Sequence, residues 1–90
     1  MKKLIAGNES ESIFATGVMH MLIIGDGEVQ LLKSIDGKQS FYPMTDGSGN
    51  IVEFSGTDVL FNAEIENTSQ NVHYKIKCTE GEVEYKVQLR

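Results

Sequence analysis

The chain carries one cysteine, one proline, no long apolar run and few basic residues, and each shortage removes a class of protein. With Cys78 alone there can be no internal disulfide, and its place among core-facing positions makes an inert buried thiol the expectation. A membrane-spanning helix needs roughly 18 consecutive apolar residues. The most apolar stretch, residues 18–24, is much shorter. At the start, Lys2-Lys3 is followed by Leu4-Ile5-Ala6 and then at once by Gly7-Asn8-Glu9, which leaves no apolar region of signal-peptide length, so a soluble, unprocessed product is expected. Eight basic against thirteen acidic residues give a net charge of −5, which opposes the concentrated positive footprint of nucleic-acid binding. The expected partners therefore include neither nucleic acid nor membrane.

What is present has the size and rhythm of one small β-domain. Ninety residues make a single core. A chain of this size buries only about 60% of its unfolded surface, so neighbouring subunits can add burial and self-association is expected. Asp26-Gly27, Asp36-Gly37 and Asp46-Gly47 recur ten residues apart, with short apolar runs between them. Asp-Gly is a strong signal for type I′ hairpin turns, which need positive φ at both central residues, so the spacing predicts an antiparallel meander.

Along the chain, residues 1–11 read as an N-terminal arm that is ordered only if something holds it, and residues 12–90 as a single β-sandwich domain. Residues 12–16 allow a short strand around Ile13 and Phe14, ended by Gly17. Residues 18–24 are apolar on both parities, which predicts a central strand covered on both faces by a second sheet or another subunit. His20 within this run is expected to be structural. In the next strand Val29, Leu31 and Ile35 share one face. Pro43 cannot donate to a ladder, so its strand is read as an edge or as ending at Pro43. A turn is expected at residues 55–58, a half-buried strand with Val59, Phe61, Ala63 and Ile65 inward at 59–66, and a polar loop at 67–71. Tyr74, Ile76 and Cys78, then Val83, Tyr85, Val87 and Leu89, alternate inward on two strands read as a closing hairpin. Lys75 and Lys77 would then face Glu82 or Glu84 across it. Eight or nine short strands without helical periodicity predict an all-β fold, a small antiparallel, jelly-roll-like β-sandwich, with a small β-barrel as the alternative.

The inventory of chemistry is thin, and no enzyme is expected. A Cys-His pair needs thiolate and base side by side, yet Cys78 points inward and His73 to the other face of the same strand. No G-x-S-x-G motif supports a serine nucleophile. Asp46-Gly47-Ser48-Gly49-Asn50 resembles the start of a calcium loop but has Ile51 and Thr57 where that loop needs glycine and an acid, so no metal or other cofactor is expected. The glycosylation patterns at Asn8-Glu9-Ser10 and Asn67-Thr68-Ser69 are read as chance. The candidate interaction surface is Phe41 and Tyr42 with Asp46, Ser48 and Asn50 of the neighbouring loop, suited to a protein or a glycan. At least one of the two rings is expected in the core, because adjacent strand residues point to opposite faces.

The run Leu31-Leu32-Lys33-Ser34-Ile35-Asp36-Gly37 followed by Phe41-Tyr42, then Asp46-Gly47-Ser48-Gly49, Phe54, Tyr74-Lys75-Ile76-Lys77-Cys78-Thr79, Gly81 and a closing strand at 83–89, resembles small β-sandwich proteins of tailed-bacteriophage virions. The resemblance covers about residues 22–89. The chain departs from that pattern by having no tryptophan after the Asp-Gly turn, Lys75 where arginine is usual, and a short C-terminal turn. The resemblance implies a virion structural component that decorates the capsid or anchors a head fibre, often as a trimer, and is made in the host cytoplasm. The arm or the loops would grip the capsid lattice. A carbohydrate-binding or adhesive module and a cytoplasmic accessory protein are the alternatives.

Overall fold

A computed structural model describes residues 2–14, 17–55, 59–67 and 72–89, without the side chains of residues 59–67 and 89. Its nine strands are β1 (Lys2–Ile5), β2 (Ile13–Phe14), β3 (Gly17–Gly25), β4 (Glu28–Ser34), β5 (Tyr42–Pro43), β6 (Glu53–Ser55), β7 (Val59–Asn67), β8 (His73–Glu80) and β9 (Glu82–Leu89). No helix occurs among the described residues. The expected turn at 55–58 and polar loop at 67–71 fall mostly outside the described residues, as does the alternation expected for the side chains of 59–66.

The strands form two antiparallel sheets packed as a sandwich. Sheet A has the order β1-β9-β3-β7, and sheet B the order β2-β8-β4 with β5 and β6 end to end along the far edge of β4. The pairings are nested. β1 pairs with β9, β2 with β8, β3 with β7, and β4 with the β5–β6 edge. This long hairpin is rolled so that β3 also meets β9 and β4 also meets β8, which is the jelly-roll winding.

Nested pairing overturns the meander. β3 and β4 flank Asp26-Gly27 yet lie in different sheets, and so do β8 and β9 on either side of Gly81. The closing hairpin is therefore absent, and so are its cross-strand pairs. Lys75 instead lies 3.3 Å from Glu9, and Glu82 lies 3.5 Å from Lys3. The Asp-Gly pairs serve another purpose than type I′ turns, since none of the three aspartates has positive φ, and of their glycines only Gly37 does. The aspartate side chains act instead. Asp36 Oδ1 accepts from Ser34 Oγ (2.7 Å), Ser40 N (3.0 Å) and Gln39 N (3.1 Å), while Asp46 Oδ1 accepts from Ser48 N (2.8 Å) and Asn50 N (3.1 Å). These are side-chain-capped turns, the other reason aspartate is favoured in loops. Gly27 answers a packing need. A Cβ there would stand 2.5 Å from Glu80 O and 2.9 Å from Val83 Cγ1, because the two connections that cross between the sheets touch at this end.

The core lies between the sheets. Met19, Met21 and Ile23 of β3, Val29 and Leu31 of β4, Tyr74, Ile76 and Cys78 of β8, and Val83 and Tyr85 of β9 are all buried, as the period-two alternation predicts. Ile35 departs from its expected inward place. It lies beyond the end of β4 and is 75% exposed.

Residues 2–14 run along both sheets. β1 lies on β9, the chain bends at Gly7 (φ +90°), and residues 7–14 follow β8. Gly7 N donates to Cys78 O, Cys78 N to Asn8 O, and Ser10 N to Ile76 O. Ser10 is itself buried, its Oγ accepting from Ile76 N at 2.9 Å and donating to Glu11 O at 2.9 Å. The segment read as an arm is thus held by the backbone of both sheets, with Leu4 buried as its apolar anchor.

Candidate interaction surface

The five residues singled out in the sequence divide into three settings. Phe41 is half-buried outside the core cluster, and Lys75 Nζ sits 4.5 Å from its ring centroid, a cation–π contact. Tyr42, opposite Lys33 on the edge strand β5, is 68% exposed. Neither ring belongs to the core, contrary to expectation; the inward place near this edge goes to Met44, whose N donates to Leu31 O and whose side chain packs on the core. Asp46, Ser48 and Asn50 are exposed in a turn closed by Asp46 N to Asn50 O (2.8 Å) and Gly49 N to Asp46 O (3.1 Å). The turn buds from the gap between β5 and β6, with Thr45 bridging Ile51 at its base.

Tyr42 shares a shallow groove of about 300 Å³ with Lys33, Ile35, Pro43, Met44 and Thr45. None of Asp46, Ser48 and Asn50 lines it. The groove's walls are mainly apolar with one ammonium, a composition that suits an apolar side chain of another protein. Sequence reasoning missed Ile35 because it continues the inward parity of Val29 and Leu31, while the strand ends at Ser34. The following Asp36-Gly37 signalled a turn but not where the strand ends, since Gly25 and Glu28 flank Asp26-Gly27 and both stay in their strands.

A second groove, about 410 Å³, runs beside Lys2, Glu11, Tyr85, Lys86 and Val87. Here Tyr85 OH donates to Glu11 Oε2 at 3.0 Å and Lys2 Nζ lies 2.9 Å from Glu11 Oε1. The lysine hydrogen bond, with the backbone and tyrosine bonds behind it, holds the Glu11 carboxyl down at about 2. Burial, helped by that same carboxylate, pushes the Tyr85 phenol up to about 12. This cluster ties residue 11 to β1 and β9, and nothing in the sequence spacing announced it.

The chemistry-bearing side chains stay apart. Cys78 is fully buried, its thiol donating to Glu80 O at 3.3 Å, and burial pushes its pKa up, which disfavours the nucleophilic thiolate. His73 is half-buried on the other face of β8, its ring 5.0 Å from that of Phe14. Among the described residues no three His, Cys, Asp or Glu side chains converge as a metal would require, and no helix is long and apolar enough to cross a membrane.

The chain matches no family model, no curated protein and no solved structure, so the fold and these surfaces carry the functional argument alone.

Proposed function

We propose that the chain is a non-enzymatic structural component of a virion, a capsid-decoration or fibre-anchoring protein that works by assembling with copies of itself and with a neighbouring virion protein. The observation that carries this reading is the exposed apolar corner of sheet B, where Ile35 and Tyr42 stand 75% and 68% exposed beside Pro43 and Met44. Large side chains left in water at one corner of a thin-cored domain favour a protein partner that covers them. The jelly-roll winding agrees with the reading by analogy, since capsid and lectin domains both use it, though a fold does not fix a function. The glycan alternative draws less support. The Asp46 carboxylate that would bind hydroxyls is engaged by two amides of its own turn. The loops and this corner, rather than residues 1–11, are the surfaces offered to a lattice, because residues 2–10 are bonded to β8 and β9 of their own chain.

The test is to follow the chain with an antibody through gradient-purified virus particles and the remaining lysate. It should sediment with the particles, and an Ile35→Asp/Tyr42→Ala variant should remain folded and fail to do so. Wild-type chain confined to the lysate refutes the reading and returns weight to a cytoplasmic accessory protein.

A further inference from the structure

We infer that the outer face of sheet A is a two-fold contact between copies of this chain, with the Leu22–Ile24 stretch of β3 stacked antiparallel on its counterpart. The inference specifies one contact within the assembly reading above. It starts from the double apolarity of β3. The inward parity, Met19, Met21 and Ile23, is accounted for by the core. The outward parity carries Val18, His20, Leu22 and Ile24, all half-buried and three of them apolar, on the strand between β9 and β7. Among the described residues no third layer lies over them. The neighbouring strand β9 follows the ordinary rule, with Glu84, Lys86 and Gln88 on its outer side. An antiparallel sheet with one wet face is expected to be polar there, so an apolar stripe on its interior strand calls for a cover.

The register shows why a second copy fits. Ile24 lies beside Glu84, and Leu22 beside Lys86, so on β3 and β9 each row sets one apolar residue next to one charge, and these two charges are opposite; beyond Glu84 the first row continues to Lys3 of β1. A two-fold axis lying between two stacked faces, perpendicular to the strands and midway between these rows, exchanges them. It sets Ile24 of one copy over Leu22 of the other, and Glu84 over Lys86, twice. Sheets stacked face to face lie about 10 Å apart, within reach of such side chains. Two chains of net charge −5 repel at long range, so the local match of sign is what permits this face to close. A partner of other chemistry would have to supply both an apolar stripe and this alternation, which the chain already carries.

The experiment is absolute mass by light scattering over a concentration series, on wild type, Glu84→Lys, Lys86→Glu, the double exchange of both, and Leu22→Lys, each checked for a cooperative melt. Wild type should rise from 10.0 kDa to twice that mass. Each single charge variant should weaken the dimer at least tenfold, the double exchange should restore it, and Leu22→Lys should abolish it without lowering the melting temperature appreciably. A monomer at every concentration, a trimeric mass, or a dimer indifferent to all four variants overturns the inference. Particle association of a chain that stays monomeric would leave the assembly reading standing while this contact falls; a charge-dependent dimer absent from particles would do the reverse.

Discussion

Gly27→Ala should cost about 2 kcal/mol of stability, whereas the same change at Gly47 should cost nothing, although both glycines follow an aspartate in the sequence. At Gly27 the added Cβ would stand 2.5 Å from Glu80 O, 2.9 Å from Val83 Cγ1 and 3.0 Å from Glu82 N, where ordinary contact begins at 3.4 Å. Two of those atoms are backbone and belong to the connection between β8 and β9, so relief requires moving one sheet crossing away from the other. Overfilling a packed site costs about 1–3 kcal/mol, and obstruction by backbone puts this one toward the upper end. Against that, alanine reduces the freedom of the unfolded chain and returns about 0.4–1 kcal/mol. The net loss of about 2 kcal/mol corresponds to a fall in melting temperature of roughly 8–16 °C for a domain of this size. At Gly47 nothing lies within 4 Å and φ is outside the left-handed region, so only the unfolded-state gain remains. Gly37 falls between, with open space but φ +74°, where alanine is strained by about 1–2 kcal/mol. The assay is thermal unfolding by circular dichroism, with urea titration to confirm an unchanged m-value. If Gly27→Ala melts together with Gly47→Ala, the two crossings do not touch as described.

Two further perturbations follow from the side chains. The depressed Glu11 carboxyl contributes stability that is present above its unfolded pKa near 4.5 and lost as pH falls toward 2, while the raised Tyr85 phenol contributes stability that is present below 10 and lost as pH rises toward 12. Glu11→Gln should therefore flatten the acid limb of a stability–pH profile and Tyr85→Phe the alkaline limb, with unchanged limbs counting against the tie. Asp36→Ala removes the acceptor shared by Ser34 Oγ, Gln39 N and Ser40 N, and should lower the melting temperature while speeding hydrogen exchange at Gln39 and Ser40; protection that persists there would refute the capped turn.

The sequence made the strands legible and hid their partners. Alternation at residues 74–78 and 83–87 placed Tyr74, Ile76, Cys78, Val83 and Tyr85 inward, because burial on one face of a strand is a local, period-two constraint. Which strand lies beside which is decided across the whole chain. A short turn such as Glu80-Gly81 serves equally to fold a hairpin within one sheet or to step from one sheet to the next, and in a rolled ribbon it steps. Aspartate before glycine was ambiguous for a similar reason. It can tolerate left-handed backbone or supply a side-chain acceptor, and Asp36 and Asp46 do the second. Of the candidate surface, Tyr42 was readable as an exposed ring on a proline-marked edge. Ile35 was not, because parity continues past the point where the ladder stops. The outward Leu22 and Ile24 were signalled by apolarity on both parities of residues 18–24, and the stepwise pairing with Glu84 and Lys86 became visible only once β9 was known to lie beside β3.

Nested pairing also orders events on the ribosome. β3, the most apolar strand, emerges early, yet its neighbours β7 and β9 are the seventh and ninth strands to be made, and β1 waits for β9 as well. Until residue 89 has cleared the exit tunnel, Met19, Met21 and Ile23 have no completed sheet to enter. Closing such long loops before any contact is gained makes for slow folding, and an uncovered apolar strand is prone to pair with a sister chain on the same polysome. A cell making this protein in quantity would do so most safely with a chaperone near the exit.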